Sequence, residues 1–311
     1  MTTQPSAMPE PLGTQSSTTA FVASTQLFYW SLRRELWEYR SLYLAPLGVA
    51  LVFLIGFLIS LIVRSPYALA INTGLETHTE LSRGLMMFTA ILLSSYYCLD
   101  ALYGERRDRS IVFWKSLPVS DLTTVLAKVS VPLVVVPMIV SLVGAILQLI
   151  MLLSTSVVLA VSGVKVGPLW SQADWFRMSL LLLYHILTAH ALWPAPVFAW
   201  MLLVSGWARR APFLWASLPV LAIAGLEAIA FRTSHIISFI GGRLIGYAPV
   251  NALPSLIAES RGQQLDLFPT NPMMHIHPGM FLSSPGLWAG LAVTAIFVTL
   301  AVKLRRRGGP I

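Results

Sequence analysis

Long runs of apolar residues without a charge are the feature that most restricts how this chain can fold. Between Arg40 and Arg64 lie 23 uncharged residues, and the interval 129–164 contains 36 more. A helix crosses the ~30 Å hydrocarbon core of a bilayer with about 20 apolar residues. Lipid offers no partner to the backbone groups of loops or open sheets. The intervals therefore predict a polytopic membrane protein built from helices.

We predict an all-α fold with six transmembrane helices. Their expected limits are about 42–63, 84–102, 130–160, 178–205, 211–231 and 285–303. The third exceeds the thickness of a bilayer and should tilt or extend past the headgroups. Composition agrees with this prediction, since 56% of the residues are apolar and 11% are charged, against about 25% charged in a typical soluble domain. That balance excludes a disordered chain and argues against an ordinary soluble enzyme.

The segment before the first span is expected to lie on the membrane surface. Residues 1–25 are rich in Ser, Thr and Pro and predict a disordered tail. We expect residues 26–307 to form a single transmembrane domain and residues 308–311 to form a short C-terminal tail. Residues 27–41 predict an interfacial helix, because Trp, Tyr and Arg favour the headgroup boundary. Leu32, Leu36, Tyr39 and Tyr43 share one of its faces. The candidate interfacial residues are Trp30, Arg33, Arg34, Trp37 and Arg40.

The distribution of positive charge predicts the orientation in the membrane. The chain has 21 Lys and Arg against 13 Asp and Glu, a net charge of +8. In a soluble protein this excess of positive charge would suggest that the protein binds nucleic acid. Here the basic residues flank apolar runs, so we expect membrane lipids, and no nucleic acid, as partners. With the N-terminus inside, 14 basic residues fall in inner segments and 7 in outer ones. The positive-inside rule therefore predicts that both termini are cytoplasmic.

The inner segment 103–128 combines charges with apolar and aromatic residues. After the charged residues come Ile111, Phe113 and Trp114, and a proline at 118 then breaks the helix. Ser120 or Asp121 can cap the helix that follows. Arginines mixed with aromatic residues are typical of protein-docking surfaces; a solvated charged loop is the alternative. The predicted docking residues are Glu105, Arg106, Arg107, Asp108, Arg109, Ile111, Phe113, Trp114 and Lys115.

This segment resembles the first cytoplasmic loop of ABC-2-type transporter permeases. The resemblance rests on Glu105-Arg106-Arg107-Asp108-Arg109, on Leu117-Pro118-Val119-Ser120 and on Lys128. A second segment, from Leu192-Trp193-Pro194-Ala195-Pro196 to Trp207-Ala208-Arg209-Arg210-Ala211-Pro212-Phe213-Leu214-Trp215, resembles a bacterial subfamily of these permeases. The interfacial helix, six spans and a long last outer segment, 233–284, match the same layout. The resemblance covers roughly residues 27–307.

The resemblance implies a bacterial inner-membrane permease subunit of an ATP-binding cassette exporter. A short cytoplasmic coupling helix within residues 103–120 would dock on a separate ATPase subunit, which would bind ATP and Mg²⁺. A second permease subunit, identical or different, would complete the path. The chain itself has no G-x-x-x-x-G-K-[ST] phosphate loop. We therefore expect no cofactor in this chain and ATP hydrolysis in a partner.

Other polar residues in the spans suggest little chemistry. His185 and His190 are ~140° apart around a helix, so they do not share a face, and H-E-x-x-H is absent; no metal site or catalytic group is predicted. Glu227 could line an outer gate or pair with Arg232, because a charge in hydrocarbon needs a partner or a cavity. The open alternatives are a membrane-embedded enzyme and a membrane anchor for a signalling complex without cargo.

Overall fold

The computed structural model describes residues 16–63, 73–116, 119–167, 169–170, 175–245 and 278–308, and these form helices joined by turns, without a strand among them. The helices used below are α1 (Ser16–Glu38), α2 (Ser41–Val63), α3 (Thr73–Asp100), α4 (Tyr103–Arg107), α5 (Ser110–Lys115), α6 (Asp121–Val161), α7 (Trp175–His185), α8 (Ala195–Trp207), α9 (Pro212–Phe231), α10 (His235–Ile245), α11 (Pro278–Ser283) and α12 (Pro285–Arg307).

Five helical segments are long and apolar enough to cross a membrane. They are Ser41–Val63, Thr77–Arg107, Asp121–Val161, Pro212–Phe231 and Pro285–Arg307. Each overlaps one of the six predicted spans. The all-helical prediction is confirmed for the described residues. For these five segments the length and the apolar composition that a membrane crossing needs are confirmed as well.

The predicted fourth span, 178–205, is a broken helix rather than a continuous one. Helix α7 passes into a π-helical stretch, Ile186–Leu192, and α8 begins only at Ala195. Pro194 and Pro196 explain the break, because proline has no N–H to donate and disfavours helical geometry in the residue before it. The amide of Trp193 bonds instead to the carbonyl of Thr188, at 3.1 Å. The apolar helix α8 alone is too short to span.

Helix α6 begins before the predicted third span and runs for 41 residues. Ser120 is its N-cap, with its hydroxyl accepting a bond from the amide of Thr123 at 3.0 Å. A π-helical turn at Val131–Val135 contains Pro132 and absorbs the backbone bond that this proline cannot donate. The early start brings a polar first turn of α6 to one end of the bundle.

The core lies where α2, α3, α6, α8 and α12 pack together, and Leu42, Phe57, Tyr97, Met151 and Leu202 are buried in it. One end of the bundle gathers the ends of α1, α3, α8 and α12 and the starts of α2 and α6. We call it the basic end, because Arg34, Lys128 and Arg305 meet there.

Helix α1 begins at Ser16, inside the segment predicted as a disordered tail, and ends at Glu38 just before α2. Trp30, Arg33 and Trp37 are exposed on it, and the Arg33 guanidinium lies 5.1 and 5.0 Å from the two indole rings. Leu32 and Leu36 are only partly buried, whereas Ser31 and Glu35 are buried, and they are the buried positions among residues 25–38 of the helix. The buried face therefore carries a carboxylate, which the predicted apolar face does not include.

Several predictions fall outside the described residues. These are the tails 1–15 and 309–311, the break at residues 117–118, and residues 246–277 of the predicted outer segment. Residues 235–245 of that segment form α10.

Candidate functional site: a buried ionic cluster beneath two short helices

A fully buried lysine lies at the centre of the basic end. Lys128, on α6, donates to both carboxylate oxygens of Glu35 at 3.0 Å, and its ammonium lies 3.2 Å from Oε1 of Glu105. None of the Lys128 side chain is exposed, and the two carboxylate side chains are 1% exposed. Buried charges of this kind persist only when they are paired and hydrogen-bonded.

Two arginines complete the pairing of the carboxylates. Arg305, near the end of α12, donates to Oε2 of Glu105 and, at 3.1 Å, to Oδ1 of Asp121. Arg34 contacts the carboxylate of Glu35 and bonds to Oε1 of Glu105 at 3.0 Å. Burial disfavours a charged Arg34, but the neighbouring carboxylates of Glu35, Glu105 and Glu38 together outweigh it, and the pKa of Arg34 lies above its ordinary value.

The cluster balances three carboxylates with three cations and joins helices that are distant in sequence. Tyr97, on α3, adds a hydrogen bond from its hydroxyl to Oε2 of Glu35, at 2.7 Å. Helices α1, α3, α4, α6 and α12 are thereby tied at one point. Because every charge has a partner, the cluster is suited to holding these helices together. We call it the ionic cluster: Arg34, Glu35, Tyr97, Glu105, Asp121, Lys128 and Arg305.

Helices α4 and α5 cover the ionic cluster and present an exposed patch. Arg109 connects them in the left-handed conformation, with φ of 58°, and so turns the chain sharply. Ile111 is buried, and Trp114 is half-buried with the Arg34 guanidinium 4.0 Å from its ring. Val112 and Phe113 are 60% and 59% exposed. The exposed patch consists of Arg107, Asp108, Arg109, Val112 and Phe113.

Arg106 and Lys115, both predicted as docking residues, point to helix ends within the chain. A guanidinium nitrogen of Arg106 donates to the carbonyls of Gly206 and Ala208, at 2.6 and 3.2 Å. Lys115 donates to the carbonyl of Gly308 at 2.6 Å. Cations at the carbonyl end of a helix stabilise it through the helix dipole. The two residues fasten the short helices to α8 and α12.

The structure therefore divides the predicted docking residues into two sets. Arg107, Asp108, Arg109 and Phe113 are exposed, whereas Glu105 and Ile111 face inward. Glu105 belongs to the ionic cluster, so it cannot contact a partner in this conformation. Sequence reasoning missed the roles of Glu35, Tyr97, Lys128 and Arg305. The sequence gives no local signal for Glu35, because the face that it shares with Ser31 and Tyr39 is seen to be buried only in the folded chain.

Glu227 caps a helix instead of pairing with Arg232. Its Oε1 accepts bonds from the Thr233 hydroxyl and the His235 amide, both at 2.7 Å, and its Oε2 accepts from the Ile236 amide at 2.9 Å. These amides form the first turn of α10, where an anion is favoured. The carboxylate thus fixes the turn between α9 and α10; a role at an outer gate stays a prediction.

At the end of the bundle opposite the basic end, Arg243 joins three segments through backbone carbonyls and an aromatic ring. It donates to the carbonyls of Trp193 and Gly286, at 3.2 and 2.8 Å, and its guanidinium lies 4.1 Å from the Trp193 ring. Burial lowers the pKa of Arg243. This contact holds α10 and the start of α12 against the break between α7 and α8.

Comparison of the chain with protein-family models, curated proteins and solved structures found no match. Among the described residues, no group of three His, Cys, Asp or Glu side chains is arranged to hold a metal ion.

Proposed function

We propose that this chain is the membrane permease subunit of an ATP-binding cassette exporter in the bacterial inner membrane. A separate ATPase would press on the exposed patch of α4 and α5. The observation that carries the proposal is that this patch lies directly on the ionic cluster, which ties five helices together. A push on the two short helices would then move the ends of several spans at once. A subunit without its own ATP site needs such a mechanical connection to its ATPase.

Six membrane crossings fit the path of the chain. The broken segment made of α7, the π-helical stretch and α8 ends beside the ionic cluster, where Arg106 bonds to the carbonyls of Gly206 and Ala208. Counted with the five long spans, this segment would supply the sixth crossing. An even number of crossings puts both termini on one side, and the positive-inside rule makes that side the cytoplasm.

The chemistry of the exposed patch supports docking to a protein. If the basic end is cytoplasmic, the side chains of Val112 and Phe113 are exposed to water. They lie beside the exposed charges of Arg107, Asp108 and Arg109. Apolar residues with arginine in such a position are enriched at the centres of protein interfaces. The inward contacts of Glu105, Arg106 and Lys115 make the patch rigid, so docking costs little ordering entropy.

The test is isolation of the tagged chain from its native membranes in mild detergent, with identification of co-purified subunits and measurement of ATP hydrolysis. We expect a subunit that carries a phosphate-loop motif. The variant Val112→Asp/Phe113→Asp should lose this subunit, because two buried carboxylates would be unpaired in the interface. The variant Arg107→Glu/Arg109→Glu should weaken the association as well.

Phe213→Asp provides a matched control, since Phe213 is 66% exposed at the start of α9 and lies off the patch. It should retain the ATPase. A chain that isolates alone from native membranes, or that keeps its ATPase when Val112 and Phe113 are both changed, would contradict the proposal. The solitary chain would favour the membrane-anchor alternative.

A further inference from the structure

Three arginines lie close together at the basic end, where α8 ends and α9 begins. The guanidinium of Arg106 donates to the carbonyls of Gly206 and Ala208, at 2.6 and 3.2 Å. Because the Ala208 carbonyl belongs to the peptide group that joins Ala208 to Arg209, Arg106 lies directly beside the pair Arg209 and Arg210. Both residues of this pair are exposed. We call Arg106, Arg209 and Arg210 the arginine group.

The arginine group lacks the carboxylates that neutralise the ionic cluster. None of the ion pairs among the described residues includes Arg106, Arg209 or Arg210. Arg106 uses its Nη1 for the two carbonyls, and the described part of the chain offers its Nε no partner. The positive charge of Arg209 also acts unfavourably on Arg106. Three neighbouring cations of this kind attract an anion from outside the chain.

Two exposed tryptophans indicate the depth of the arginine group in the membrane. Trp207 is the last residue of α8, and Trp215 lies in the first turn of α9. Their ring centroids are 5.1 Å apart, and the two rings are 71° from parallel. Indole rings favour the boundary between headgroups and hydrocarbon, because they combine an apolar body with a polar N–H. Arg209 and Arg210, just before the span, therefore lie at the level of the lipid phosphates.

An apolar stripe on α9 leads from the arginine group along the span. Leu214, Leu218 and Leu221 are exposed, and their spacing of four and three residues places them on one face of the helix. In α9 only Ala216 and Ala224 are buried, so most of the helix faces the surroundings of the bundle. An acyl chain would lie along this stripe while its headgroup contacted the arginines.

We propose that the arginine group binds the phosphate of an anionic phospholipid in the leaflet at the basic end. Arg209 and Arg210 donate to the phosphate, and Arg106 adds positive charge. A headgroup with net negative charge is favoured, because a zwitterionic one would bring its own cation near three arginines. The apolar stripe favours a lipid over a soluble phosphate. This goes beyond the exporter proposal, since it requires only that α9 spans the membrane and involves no ATPase.

The test is native mass spectrometry of the purified full chain in detergent, titrated with dioleoyl phosphatidylglycerol or dioleoyl phosphatidylcholine. The two lipids share their acyl chains and a phosphate, but the ammonium of choline cancels the charge of the headgroup. We expect phosphatidylglycerol to bind about tenfold more tightly. In Arg209→Gln/Arg210→Gln its affinity should fall to that of phosphatidylcholine. Both arginines are exposed, so this variant should fold and melt as the unmodified chain does.

Arg306→Gln/Arg307→Gln is the matched control, since it removes the same charge from two adjacent exposed arginines at the end of α12. It should keep the preference for phosphatidylglycerol, which a general attraction to positive charge would not. Equal affinity of the unmodified chain for both lipids, or equal losses in the two double variants, would overturn the proposal. So would glycerol 3-phosphate binding as tightly as the lipid, because the site would then be one for a soluble ligand.

Discussion

Replacing Lys128 by methionine is the sharpest perturbation of the ionic cluster. Methionine matches the length of the lysine stem but removes an ammonium that lies 3.0, 3.0 and 3.2 Å from three carboxylate oxygens. Glu35 and Glu105 would then be left with one cation fewer in a site that water does not reach. Removing one partner of a buried pair costs about 3–5 kcal/mol, so we expect Lys128→Met to lower the free energy of unfolding by that amount.

The compensating change distinguishes a charge effect from a packing effect. In Lys128→Met/Glu35→Gln, the cluster again has equal numbers of carboxylates and cations, and most of the lost stability should return. The assay is chemical unfolding in detergent, followed by circular dichroism, across the full double-mutant cycle. Lys303→Met, at an exposed position of α12, is the control and should change stability by less than about 1 kcal/mol. Additive effects in the cycle, or a loss below about 1 kcal/mol in Lys128→Met, would refute the reasoning.

Three further predictions concern other parts of the bundle. Gly290→Ala would place a Cβ 2.7 Å from a guanidinium nitrogen of Arg243, so it should destabilise the fold by about 1–3 kcal/mol in thermal melts; a neutral result would contradict this packing. Glu227→Gln should speed amide hydrogen exchange in the first turn of α10, because a charged cap becomes neutral; unchanged exchange would argue against capping. In inverted vesicles, Phe113→Cys should react with a membrane-impermeant maleimide and Ile111→Cys should not; the reverse would exclude the exposed patch.

Hydropathy predicts the long spans because their apolar composition is continuous over the thickness of a bilayer. The limits of α2, α9 and α12 lie close to the predicted ones for this reason. Hydropathy does not predict the break between α7 and α8. An apolar run across Pro194 has the same hydropathy whether the helix continues or breaks. The break depends on the backbone chemistry of proline and on the contacts of Arg243.

The ionic cluster could not be predicted from the sequence in the same way. A charge in an apolar face looks like a solvated position until its partner is known, and Glu35 and Lys128 are 93 residues apart. The exposed residues of the loop 103–120 were accessible to sequence reasoning because a local mixture of charge and aromatic residues marks them. The contacts of Arg106 and Lys115 within the chain could not be predicted from the sequence, because these residues reach helix ends that are positioned only by the tertiary fold.

Arg305 and Glu105, paired in the folded chain, are 200 positions apart. Their contact forms only when α12 packs against α4, and contacts that close long loops form slowly. The ionic cluster is therefore expected to complete late in folding. Until then Glu105 lacks one of its cations, so a partly assembled bundle carries uncompensated charge at the basic end.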